Sequence, residues 1–232
     1  MTNNQLLLEF KQRLNKLASS DYTNLECWQE FALLNKAQIQ WSRRQLHGGN
    51  QYQEGDEESK RRIDDLNILL VEEELKAENK KIYFETELIP SNYFEFKKVV
   101  LQISKKGCDQ VKRVVPQLVS EQDVDELLTD NLKQPSFIWG ETFVTLFGNK
   151  LRVWTNGDFL VDKCEIVYYR FPKTISSTSC LSINGNSQSE QEIEFKDDIA
   201  YLIIDEATSI AAADIMDVSN YQRLSTEVEK NN

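Results

Sequence analysis

One histidine, His47, stands in the stretch WSRRQLHGGNQYQEGDEESKRRIDDL (Trp41–Leu66), directly before Gly48-Gly49 and between the pairs Arg43-Arg44 and Arg61-Arg62. Histidine can act as a general base near neutral pH. Paired glycines can let backbone amides approach a phosphate, and arginines can grip phosphates or carboxylates. Each of these chemistries needs company. A histidine base requires a nucleophile and an orienting carboxylate. Ser42 lies five residues upstream, but a G-x-S-x-G elbow appears nowhere. A dinucleotide fingerprint spaces its glycines between a strand and a helix start, and a Walker loop reads G-x-x-x-x-G-K-[ST]; the chain has neither. Gly48-Gly49 instead follows a helical run and reads as its exit, with His47 at the helix C-terminus, where partial positive charge is favourable. Asp56, Glu57, Glu58, Asp64 and Asp65 surround the arginines. Internal ion pairs or a charged subunit contact are therefore favoured over nucleic acid.

The other reactive side chains also resolve into bland readings. Cys27, Cys108, Cys164 and Cys180 form no C-x-x-C pair. With one histidine, a zinc site lacks ligands, and the scattered spacing suggests free thiols in a reducing compartment. Glu72-Glu73-Glu74 and Asp123, Asp125 and Glu126 are carboxylate clusters. Consecutive helical residues diverge by about 100°, so such clusters read as a solvated face. Trp139, Phe143, Trp154, Phe159, Tyr168 and Tyr169 make one region aromatic. Alternation favours two packed faces over a platform for sugars or bases, for which Trp154 is the natural test residue. No catalytic, cofactor-binding or metal-ligating set emerges, and no cofactor is expected.

The elements that would carry these residues follow from periodicity. Leu6, Leu7, Phe10, Leu14 and Leu17 predict an amphipathic first helix rather than a signal peptide. After a break at Ser19-Ser20-Asp21, Thr23 and Glu26 suggest a capping box for a second helix ending near Leu46. Asp56–Glu58 suit the start of a third, whose apolar face holds Ile63, Leu66, Leu69, Leu70 and Leu75. Ile82–Leu88 alternates like a strand, and Tyr93–Lys97 suggests one helical turn. Val99–Ser104 and Val111–Leu118 flank Lys106-Gly107 as a hairpin, and Glu121–Leu128 is a short helix. Thr142–Phe147, Lys150–Thr155 and Lys163–Arg170 are strands. Residues 174–191 form a Ser-, Thr- and Asn-rich linker. A last long helix, capped by Asp197 or Asp198, precedes a polar tail.

The chain of 232 residues is 40% hydrophobic and 28% charged, ordinary for a globular protein with a sizeable core. No apolar run approaches the roughly 18 residues of a membrane span, so no membrane partner is expected. The net charge of −11 is uneven. Residues 181–232 hold 3 basic and 11 acidic side chains. That argues against a general nucleic-acid binder and suits a surface past which DNA slides without sticking.

Three stretches carry a resemblance: WSRRQLHGGNQ, PSFIWGETFVTLFGNKLRVWTNGDFLVDKCEIVYYRFP (Pro135–Pro172) and the closing IIDEATSIAAADIMDVSNYQRL. Taken in order, they resemble virion proteins of crAss-like tailed bacteriophages, in which a helical hairpin, a β module and a C-terminal helix with a Y-Q tail follow one another. The resemblance implies an α+β fold: a helical bundle from N-terminal helices and a C-terminal helix, with an inserted β-rich module of antiparallel strands. The expected division is 1–80 helical, 81–173 β-rich, 174–191 linker, 192–218 C-terminal helix and 219–232 polar tail. The implied role is a ring-forming adaptor between portal vertex and tail, in the virion neck after assembly in host cytoplasm. Its partners would be its own copies (a ring of about twelve), the portal protein, other neck or tail rings, and DNA passing through without specific binding. Trp41, Arg43, Arg44, His47, Arg61 and Arg62 would lie where subunits meet, and Tyr221, Gln222 and Leu224 would anchor the tail on a partner. The alternative is a nucleic-acid-binding or enzymatic phage factor that uses Trp41–Leu66.

Overall fold

Leu6, Phe10 and Leu14, spaced by four, are buried along one face of the first helix, α1 (Asn3–Leu14). A computed structural model describes residues 1–14, 25–50, 53–55, 59–180, 189–214 and 218–231. After α1 come α2 (Cys27–Leu46) and α3 (Lys60–Leu66), the latter closed by a 3-10 turn at Asn67–Leu69. Strands β1 (Leu70–Glu74), β2 (Ala77–Asn79), β3 (Tyr83–Leu88), β4 (Tyr93–Lys105), β5 (Cys108–Val114) and β6 (Gln117–Leu118) follow. A short helix, α4 (Val124–Thr129), precedes β7 (Phe143–Phe147), β8 (Lys150–Trp154) and β9 (Leu160–Arg170). The chain closes with α5 (Asp197–Asp214) and α6 (Val218–Asn231). The architecture is thus mixed α+β.

The chain divides into two units: Met1–Leu69 with Pro172–Asn232, and Leu70–Phe171. In the first, α5 packs against α1, α2 and α6. Ile199, Ile203, Ile204, Ala207 and Ala211 are buried on α5, and the alanines let neighbouring backbones come close. Residues 172–180 and 189–196 are not a loose linker, and 181–188 lie outside the described residues. Ile175, Cys180, Ile193 and Phe195 are buried. Asn35 and Ile175 exchange two hydrogen bonds, and the Gln38 amide donates to the Lys173 carbonyl.

The second unit stacks two sheets, ordered β1-β9-β4-β5 and β2-β3-β8-β7-β6. All pairings are antiparallel except the short β6–β7 contact. Val99, Leu101, Ile103, Ile166 and Tyr168 from the first sheet share one core with Phe84, Val144, Leu151 and Val153 from the second. This is the alternation expected of strands with one inward face.

Several expectations need correction. The third helix stops at Leu66 instead of running to Leu75. Leu70–Glu74 lies as a strand along β9, with Leu70 opposite Tyr169, which puts residues 70–79 among the strands. Closely spaced leucines fit either period, and the ladder offered by β9 decides between them. Tyr93–Lys97 is not a helical turn but the first part of the long β4, held to β9 through register shifts. The polar tail is helical, and Leu224 and Val228 on α6 are buried. The second helix starts at Cys27, where the Glu26 N–H donates to the Gln29 side chain. Thr23, the Ser19–Asp21 break and the Asp56–Glu58 start lie outside the described residues.

The cysteines also depart from expectation. Cys27 and Cys180 form a disulfide, their Cα atoms 5.8 Å apart, while Cys108 and Cys164 are free. That separation lies in the usual bonding range. Spacing along the chain hid the pair, because 153 residues separate the two. Removing such a bridge typically costs about 2–4 kcal/mol. Cys27→Ser, or reduction of the native chain, should therefore lower unfolding stability by about that amount in urea titrations followed by circular dichroism. Equal midpoints with and without reductant would refute the bridge.

Candidate functional site

The Trp41–Leu66 stretch is built largely into its own unit. Trp41 is 1% exposed and meets Phe195 edge-on, with ring centroids 5.2 Å apart. Arg44 makes a bidentate pair with the buried Glu206, both contacts at 2.7 Å. The Ser42 hydroxyl is buried and donates to the Gln38 carbonyl at 2.8 Å, which commits the nearest hydroxyl upstream of His47 to the helix backbone. His47 is exposed and caps α2, its N–H donating to the Arg43 carbonyl. Gly48 takes φ +69, and a Cβ there would lie 3.3 Å from the Gln53 oxygen and the Gly55 nitrogen. The glycine pair is therefore a helix exit with no room for a side chain at its first position.

The remaining nominated residues are scattered. Arg43 and Arg61 are exposed, and Arg61 pairs with Asp65 one turn on, at 3.6 Å. Gln222 is exposed, whereas Leu224 is 1% exposed and so is held within its own chain. The side chains of Arg62 and Tyr221 lie outside the described residues. A cleft of about 680 Å³ opens beside the Arg44–Glu206 pair, with Lys36, Gln40 and Glu229 also lining it. Its mixed charges present no single ligand chemistry. Cys164 is no nucleophile, because burial, aided by Glu165, pushes its thiol up to about 12.

A second place was not anticipated. Phe143, Trp154, Phe159, Tyr168 and Tyr169 are all buried, as alternation suggests, but Trp139 is 80% exposed. It sits in a tightly held turn. Phe137 is buried in the sandwich core. The Phe137 N–H donates to Asp158 Oδ2 at 2.8 Å. Lys112 Nζ donates to the Phe137 and Ile138 carbonyls at 2.8 and 2.9 Å. Ser136 bridges Glu141, and Gly140, at φ +68, closes the turn by donating to the Ser136 carbonyl at 2.9 Å. Lys105 pairs with Asp158 behind the turn. The result holds Ile138, 72% exposed, and Trp139 in water beside Leu132, which is 88% exposed. One sequence signal could have found this: Trp139 precedes a glycine and lies outside the alternating run that begins at Phe143.

Among the described residues, no group of three or more His, Cys, Asp or Glu side chains is placed to hold a metal. No described helix is long and apolar enough to cross a membrane. No protein-family model matches the chain, and no curated protein sequence is significantly similar to it.

Arg44→Ala strands the Glu206 carboxylate in a buried position and should cost roughly 2–4 kcal/mol in chemical denaturation, somewhat less than a fully enclosed pair because Arg44 is partly exposed. His47→Ala, at an exposed helix end, should cost under about 1 kcal/mol. For Asp158, burial pushes the carboxyl up, but Lys105 and the Phe137 amide outweigh it and leave the group below its ordinary value. A lowered folded value means that this contribution is complete above the ordinary carboxyl range and is lost as pH falls through the lowered one. The Trp139 turn should therefore loosen only below about pH 4. Hydrogen exchange of the Phe137 backbone amide, which donates to Asp158, should report this by NMR, and Asp158→Asn should be loose at neutral pH as well.

Proposed function

We propose that this chain is a ring-forming adaptor of the virion neck in a crAss-like tailed phage, joining the portal vertex of the capsid to the tail and surrounding the DNA channel. The observation that carries the reading is the insertion. A helical unit assembled from both parts of the chain interrupts itself for a contiguous two-sheet unit, the layout that the resemblance implies. In this reading the helices form a bundle, and bundles from successive copies pack side by side. Heterologous contacts repeat around an axis until the rotation closes, at about twelve copies to match a portal. The portal and neighbouring neck or tail rings are the partners. The acidic balance of residues 181–232, 3 basic against 11 acidic side chains, keeps passing DNA from adhering. The exposed Arg43, His47 and Arg61 remain candidates for subunit contact, in an orienting role without chemistry.

The chain mixed with the portal protein should migrate as a closed oligomer in sedimentation velocity and appear as a ring in cryo-microscopy. Purified virions should contain it. A strict monomer that ignores the portal and is missing from virions would refute the assignment.

A further inference from the structure

The turn that holds Trp139 forms one wall of a cleft of about 530 Å³ within the two-sheet unit. Three properties of that cleft narrow its ligand. First, among the described residues no lysine or arginine lines it, and Lys105, which pairs with the lining Asp158, is already neutralised there, so phosphates, carboxylates and nucleic-acid backbones find little counter-charge. Second, its polar lining consists of carboxamides, carboxylates and a hydroxyl, including Asn131, Gln134, Asn156 and Glu141. The Asn156 amide donates to the Gln134 side-chain oxygen at 3.2 Å. That contact leaves the Asn156 oxygen as an acceptor and the Gln134 nitrogen as a donor, a mixed pair suited to hydroxyls. Third, an indole that is 80% exposed stands at its edge, with Leu132 and Ile138 extending the apolar surface.

The cleft is also held in shape before any ligand arrives. Phe137 is buried, Asp158 and Lys112 fix the turn backbone, and Asn156 adopts φ +48, a conformation uncommon outside glycine. A side chain that would otherwise sample many positions is thus presented on a fixed support, which reduces the ordering cost of binding. Cleft size also suits a small ligand with a few placed polar partners.

We propose that this cleft binds an uncharged oligosaccharide, with one sugar ring stacked on Trp139 and its hydroxyls hydrogen-bonded by Asn131, Gln134, Asn156 and Glu141. A pyranose has the required pair of properties: an apolar face of C–H groups for the indole and a rim of neutral hydroxyls for amides and carboxylates. Leu132 and Ile138 accommodate the apolar faces of adjoining units. None of its residues is among those assigned to ring formation, so a sugar response can be read independently of the adaptor assignment.

The test uses the full chain, labelled with nitrogen-15, titrated separately with cellotetraose, maltotetraose, N-acetylchitotetraose and mannotetraose to the solubility limit of each. At least one should give saturable shifts centred on the Trp139 indole and the Asn131, Gln134 and Asn156 amides. Trp139→Ala, which removes a mostly exposed side chain, should weaken that binding roughly tenfold or more. Asn156→Gly, which keeps the backbone conformation while deleting the amide, should weaken it too. Three results would overturn the proposal. One is the absence of saturable shifts with all four sugars. Another is binding that survives unchanged in Trp139→Ala. The last is loss of self-association or portal binding in Trp139→Ala with no sugar response in the native chain, which would make the turn a protein contact.

Discussion

Two adjacent carboxylates, Asp205 and Glu206, lie buried on α5, and the helical unit is arranged around neutralising them. A carboxylate withdrawn from water is costly by several kcal/mol unless a cation and hydrogen bonds accompany it. Adjacent helical residues point about 100° apart, so one neighbour cannot serve both. Asp205 takes Arg13 from α1, and Glu206 takes Arg44 from α2. Lys11 of α1 meets the buried Glu30 of α2 at 3.1 Å and closes the third side. Apolar packing alone tolerates sliding of helices; these pairs set the register of α1 and α2 against α5. Arginine suits the Glu206 position because its planar fork meets both carboxylate oxygens at once.

The two-sheet unit answers to a different constraint. Its core is mostly apolar, and polar bonds fasten its turns and strand ends. The Asn149 carbonyl receives the Ile89 amide, the Asn79 side chain bonds both backbone groups of Val161, and Asp158 fastens the Phe137 turn. On one strand pair, Glu85 is gripped by Lys80 and Arg152, which hold its carboxyl at about 2. The guanidinium of Arg152 lies 3.7 Å from the centre of the Phe147 ring, so a long cation covers apolar surface that would otherwise meet water.

What the sequence discloses here depends on the range of the determining interaction. Helices α1, α2 and α5 and strands β3, β7 and β8 have strong periods bounded by turn residues, and local pattern suffices for them. The β1 strand was hidden because its partner, β9, lies about a hundred residues away in sequence and no local feature announces it. The same holds for Cys27 and Cys180. Helix α6 is polar in composition, yet among its described side chains Leu224 and Val228, set one turn apart, are buried, and α6 packs against α5. Around His47 the pattern of types suggested reactivity, while the roles of Ser42 and Arg44 depend on hydrogen-bond geometry that spacing does not specify. Trp139 shares the aromatic character of the strands that follow it but not their alternation, and its exposure depends on a turn whose fixings come from Lys112 and Asp158.

The pairing of Leu70 with Tyr169 has a bearing on how a ribosome must deliver this molecule. Entry to and exit from the two-sheet unit lie on adjacent strands, roughly 5 Å apart. That unit is contiguous, so it can finish folding while α5 is still unsynthesised. Until then α1 and α2 carry apolar faces whose cover has not emerged. Once the sheets close, the long segment between α3 and α5 behaves as a clasp one strand-spacing wide, and the entropy of joining the helices falls accordingly. Vectorial synthesis thus lets the closed insert shorten the connection between the earlier and later helices, and a defect in the sheets would lengthen that connection again.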